Sequence, residues 1–140
     1  MFYTWNDLRT VAETIWGEAR GEPFEGKLAV AWVIVNRAKK RNLKPYQVCL
    51  QPYQFSCWND KDPNYPLLVN RDKDISDKVW RECTRAAIQV LGGFDMVGCT
   101  VTDRTKGATH YHTQAVMPYW AKGKEPCYVV GNHIFYNNID

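Results

Sequence analysis

Residues 17–37 read GEARGEPFEGKLAVAWVIVNR, and the second half of that stretch decides the fold. Residues 28–35 are all apolar, between an acidic, glycine-marked start and the basic run NRAKKR. The β-branched Val30, Val33, Ile34 and Val35 admit a strand. Length argues for a helix, because Pro23 to about Arg41 is too long for an uninterrupted strand, and a helix apolar on all sides belongs at the centre of a domain. Pro23 suits its first turn, with Glu22 and Glu25 at its positive end.

Working outward, Leu8, Val11, Ala12, Ile15, Trp16 and Ala19 recur at helical spacing, with Asn6 or Asp7 as the expected N-cap and an end near Gly17 to Gly21. Residues 41–68 carry four prolines and read as a loop with exposed rings at Tyr46, Tyr53, Phe55, Trp58 and Tyr65. Ser76 is expected to cap a third helix that buries Val79, Trp80, Cys83, Ala87, Val90 and Leu91 and stops at Gly92 and Gly93. The segments VGCTVT, ATHYHT and CYVVGNHIFYNN are short, β-prone and broken by turn residues, which predicts a small antiparallel sheet. Helices first and strands later make an α+β domain.

The 140 residues fit one domain, 1–140, able to bury roughly two thirds of its unfolded surface. Six Trp and eight Tyr exceed what a core needs, and flat rings beside polar groups suit sugars or bases. A net charge of +3 is too small for nucleic-acid binding driven by counterion release, so no nucleic-acid partner is expected. The start MFYTWNDLRTVAE has no basic region followed by an apolar one, and no stretch reaches the roughly 20 apolar residues of a membrane span. The expectation is a monomer made in the cytoplasm without a signal peptide and delivered by other means. The five cysteines form no CxxC pair, and most are expected to be small buried thiols.

Glu18, Glu22 and Glu25 then pose a question of chemistry. Clustered acids at a helix junction are ordinarily solvated, and Glu22 and Glu25 are explained by the helix dipole. Glu18 differs, since it closes the first helix with Trp16 and Trp32 as expected apolar neighbours. Desolvation makes a carboxyl group harder to ionise, the property a general acid needs near neutral pH.

GEARGEPFEGKLAVAWVIVNR closely resembles the signature of the SleB/CwlJ-like cell wall hydrolases. LQPYQFS at residues 50–56 looks like that family's Q-P-x-Q-F-S segment, ATHYHT at 108–113 its A-T-x-Y strand, and VVGNHIFY at 129–136 its closing G-N-H-x-F motif. The resemblance implies a lysozyme-like fold related to goose-type lysozyme and lytic transglycosylases, peptidoglycan glycan strands as substrate, and neither metal nor other cofactor. It makes Glu18 the catalytic acid and sets Gln54, Phe55, Tyr111, Asn132 and His133 at positions that line or support the groove. Residues 57–74 match no family segment.

Read as residues, Gln54 holds an N-acetyl group or loop backbone, Tyr111 faces the groove or packs in a strand, and His133 with Asn132 ties a turn. Arg20 steadies the anionic region or pairs with Glu22. Most glycosidases use two carboxyl groups. With Glu18 alone, the expected outcome is a lytic transglycosylase; with Glu25, Asp60 or Asp103 positioning a water, it is a muramidase. A phage endolysin released through a holin is the expected setting. The rivals are a metal-dependent amidase using His110, His112 and His133, and a non-catalytic wall-binding or virion protein.

Overall fold

The computed structural model describes residues 3–52, 54–70, 77–93, 95 and 97–139. Helix α1, Trp5–Ala19, begins two to three residues earlier than the sequence suggested, because Thr4 is the N-cap rather than Asn6 or Asp7. Thr4 Oγ1 accepts from the Asp7 amide and Asp7 Oδ2 accepts from the Thr4 amide at 2.9 Å, a reciprocal capping box. Asp7 is fully buried because its other oxygen accepts from Tyr46 N at 3.0 Å, which docks the start of a later helix onto α1. Helix α2, Phe24–Arg41, is the central apolar helix the sequence predicts, and it ends on Asn42 in the left-handed conformation, φ 54°. Val30, Val33 and Ile34 are fully buried, each worth about 1.5–3 kcal/mol relative to exposure.

Residues 41–68 are not the irregular loop expected. They form α3, Pro45–Leu50, a 3-10 turn at Ser56–Trp58, and α4, Tyr65–Asn70. Phe55 is 1 % exposed and joins the main core, so it is not a surface ring. Its ring lies 5.0 Å from the Arg37 guanidinium. Helix α5, Lys78–Gly92, is capped by Asp77, whose carboxylate accepts from Val79 N and Trp80 N, while Ser76 and Tyr53 lie outside the described residues. Gly93, at φ 81°, ends α5 as expected. The helices α1, α2 and α5 pack on one another, and α3 closes against the first two.

The sheet has three antiparallel strands in the order β1-β3-β2: β1 His110–Thr113, β2 Tyr128–Val130 and β3 His133–Tyr136. VGCTVT is not a fourth strand. Val101 N bonds Gly93 O and Asp95 N bonds Cys99 O, which fold that segment back on the end of α5. The register pairs Tyr111 and Tyr128 with Phe135, and Thr113 and Val130 with His133. Facing partners share a side, so Tyr111, Tyr128, His133 and Phe135 occupy one face and His110, His112, Ile134 and Tyr136 the other. All five cysteines are free thiols, with Cys49, Cys57 and Cys83 buried and Cys99 exposed.

Candidate active site

Glu18 lies in the last turn of α1, where three separate elements meet its carboxylate. Tyr111 Oη, from β1, donates to Oε1 at 2.9 Å. Ser56 Oγ and the Cys57 amide, both from the 3-10 turn, donate to Oε2 at 3.3 Å. The carboxylate is therefore ringed by hydrogen-bond donors, which the sequence did not foresee. Glu18 keeps partial exposure, and Ser56 beside it is open to solvent.

That cradle depends on how closely the 3-10 turn approaches α1. A Cβ on Gly17 would stand 2.6 Å from Cys57 Cβ and 2.7 Å from Cys57 Sγ, so only glycine fits before Glu18. Trp58 pins the same turn by donating from Nε1 to Thr14 Oγ1 at 2.8 Å. Burial, then the charge and hydrogen bond of Glu18, push the Cys57 thiol up, so the thiol stays protonated beside the carboxylate. The same causes in the same order hold the Tyr111 hydroxyl well above its usual range, which keeps it a donor.

Beside this cradle Glu22, not Glu25, is the second acid of the motif that turns inward. It accepts from Asn132 N at 2.8 Å and from Asn132 Nδ2 at 3.3 Å, and its Oε1 lies 3.8 Å from His133 Nδ1. Gly131 makes the approach possible: its φ is +57°, and a Cβ there would meet Glu22 Oε1 at 2.5 Å. Lys27, almost fully buried, fixes the turn from below by donating to Glu22 O. The His133 ring packs 4.9 Å from Tyr111, and its Nδ1 has no hydrogen-bond partner among the described residues. Burial lowers the His133 pKa, Glu22 and Glu18 oppose that, and His112 adds to it.

The other expected site residues fall elsewhere. Glu25 lines a cavity on the far side of α2 together with Trp32. Asp103 is spent on its own loop, accepting from Asn36 Nδ2, Thr105 N and Gly107 N. Asp60 is exposed in a turn. Gln54 Oε1 accepts from Arg41 Nη1 at 2.7 Å rather than from loop backbone. Arg20 stacks on Trp16 at 4.3 Å and bonds Asn64 Oδ1 at 2.7 Å, so it does not pair with Glu22. Phe55 supports the site from inside, because Arg37, stacked on it, donates from Nε to Thr109 O at 2.6 Å, next to β1.

The three histidines do not converge. His112 bonds Tyr136 Oη at 2.8 Å and His110 packs 5.2 Å from Trp120 on one sheet face, while His133 sits on the other. Sequence reasoning missed Gly17, Cys57 and the inward turn of Glu22. The close of LQPYQFS at Ser56 is the one signal that could have found the 3-10 turn.

A helical core with a small sheet, and a donor-ringed carboxylate where the two meet, define a lysozyme-like domain. The chain belongs to the cell wall hydrolase family, whose model matches residues 21–136, beginning just after Glu18 and taking in Gln54, Tyr111, Asn132 and His133. A spore cortex-lytic enzyme of Halalkalibacterium halodurans is 29% identical over 138 residues, 96% of this chain and 36% of the relative. A spore cortex-lytic enzyme of Bacillus subtilis is 59% identical over 32 residues, 23% of this chain and 10% of that protein. The chain thus spans about a third or less of the length of these relatives. In fold it is similar to the catalytic domain of the Bacillus cereus SleB protein, with a TM-score of 0.68 at 23% identity over 96% of this chain and 91% of that one. The catalytic domain of the germination-specific lytic transglycosylase SleB from Bacillus anthracis gives 0.70 at 24%, over 95% of each.

Proposed function

We propose that this chain cleaves the glycan strands of peptidoglycan, with Glu18 as the one group that both gives and takes the proton. The observation that carries the reading is the three-donor cradle around Glu18, built from α1, the 3-10 turn and β1. Such a cradle fixes the carboxyl geometry before substrate arrives, which is what proton transfer at a set atom requires. Glu18 protonates the glycosidic oxygen as the bond to the anomeric carbon breaks. The substrate's N-acetyl group covers the positive charge that develops there. Glu18, now a carboxylate, takes the proton of the sugar 6-hydroxyl as that oxygen attacks the anomeric carbon, closing a 1,6-anhydro ring.

A hydrolytic outcome needs a second carboxylate across the bond to activate water. Glu22 is held by the Asn132 amide and side chain, and Asp62, on the loop beyond Cys57, accepts from Asn64 N, so both acids in this quarter already have partners. That supports the anhydro route. The relatives are named as spore cortex-lytic enzymes, so cortex peptidoglycan is the first substrate to test, beside vegetative wall for the phage-release setting. Mass spectrometry of the digest decides between routes: anhydro ends support the proposal, reducing ends mean a muramidase, and freed stem peptides mean an amidase.

A further inference from the structure

A second concavity lies away from Glu18. A cavity of about 320 Å³ opens between α2, the end of α5, β2, Asp95 and residues 100–105. Trp32 and Tyr128 supply flat apolar walls. Gln89 also lines it and is only 7% exposed, so a polar side chain held by the packing of α5 borders the cavity. Glu25 and Arg104 stand exposed in the lining with opposite charges, and neither makes an ion pair or hydrogen bond among the described residues.

We propose that this cavity binds a short zwitterionic peptide, the stem that hangs from the glycan strand. The proposal rests on the peptidoglycan reading above and extends it to the part of the substrate that Glu18 does not touch. Gln89 pairs with a peptide amide, Glu25 with a side-chain ammonium, Arg104 with a carboxylate, and the alkyl portion lies against Trp32 and Tyr128. A neutral sugar would leave both charges unanswered. The placement fits the substrate: Tyr128 lies 5.9 Å from Phe135, which lies 5.4 Å from Tyr111, the partner of Glu18. The cavity and the catalytic carboxylate therefore flank one aromatic row, roughly 10 Å across two strand spacings.

The test is an NMR titration of the full chain with a synthetic stem tripeptide bearing free carboxylates and one side-chain amine, following the Gln89 side-chain amide. Saturable shifts are expected there and at residues 100–105, with binding weakened about tenfold in Gln89→Leu and in the surface variant Glu25→Gln. Glu18→Gln is expected to bind the peptide like wild type. Absence of saturable shifts, equal binding by both cavity variants, or shifts only with N-acetylated chitotriose would overturn the proposal. Cleavage by Glu18→Gln would sink the catalytic reading alone and leave the peptide result standing.

Discussion

Tyr111 Oη donates to Glu18 Oε1 at 2.9 Å, joining the last turn of the first helix to the first strand across 93 residues of chain. The bond places the sheet's core-facing row in direct contact with the proposed proton donor. Tyr111→Phe keeps the ring packing against His133 and Phe135 and removes only the donor. Loss of one hydrogen bond to a charged group is worth about 1.5–3 kcal/mol, so turnover on insoluble peptidoglycan should fall roughly ten- to a hundredfold. Turnover equal to wild type would show that Tyr111 only packs.

Gly17→Ala should do more damage than a helix Gly→Ala exchange ordinarily does. The new methyl group would collide with Cys57 and push the 3-10 turn off Glu18. Overpacking of this kind costs about 1–3 kcal/mol. Denaturant unfolding should show that loss, and Cys57→Gly in the same chain should recover part of it.

Much of the helical core is legible in the sequence, because residues 28–35 leave a helix no exposed face and the α1 positions repeat at helical spacing. The N-cap was also written there, as Thr4 followed three residues later by Asp7, but a Thr-Trp-Asn-Asp start competes with Asn6 and Asp7 as caps. The six-residue helix α3 was missed because PYQVCL holds too few turns to show a period. VGCTVT misled because its β-branched residues sit between two turns that bond back to Gly93 and Asp95. Glu18 and Tyr111 were each legible as motif residues, but their hydrogen bond was not, because it joins elements 93 residues apart. The inward turn of Glu22 was not, since it depends on Gly131 clearing space from 109 residues away.

Glu22→Gln bears on that turn directly. The Glu22 charge favours protonated His133 against the burial that disfavours it. Removing the charge should move the His133 imidazole titration further down, read from its NMR shifts across pH 4–8. An unchanged or upward-moving midpoint would contradict the contact.

His110 predicts how acid weakens the fold. Burial, then Arg37, Arg41 and Lys40, lower its pKa from 6.5 to about 4. The unfolded chain therefore binds the proton more readily, so this contribution is present above about pH 6.5 and is lost as pH falls toward 4. Denaturation midpoints should drop across that window, and His110→Asn should flatten part of the drop. Parallel curves for the two proteins would assign the acid sensitivity to other groups.

Glu18→Gln tests the central claim most directly, because it removes a transferable proton and almost no volume. Folded Glu18→Gln protein, shown by an unchanged circular dichroism spectrum, should release no soluble muropeptides from purified peptidoglycan under conditions where wild type solubilises it. Release by Glu18→Gln at a rate near wild type would contradict the account.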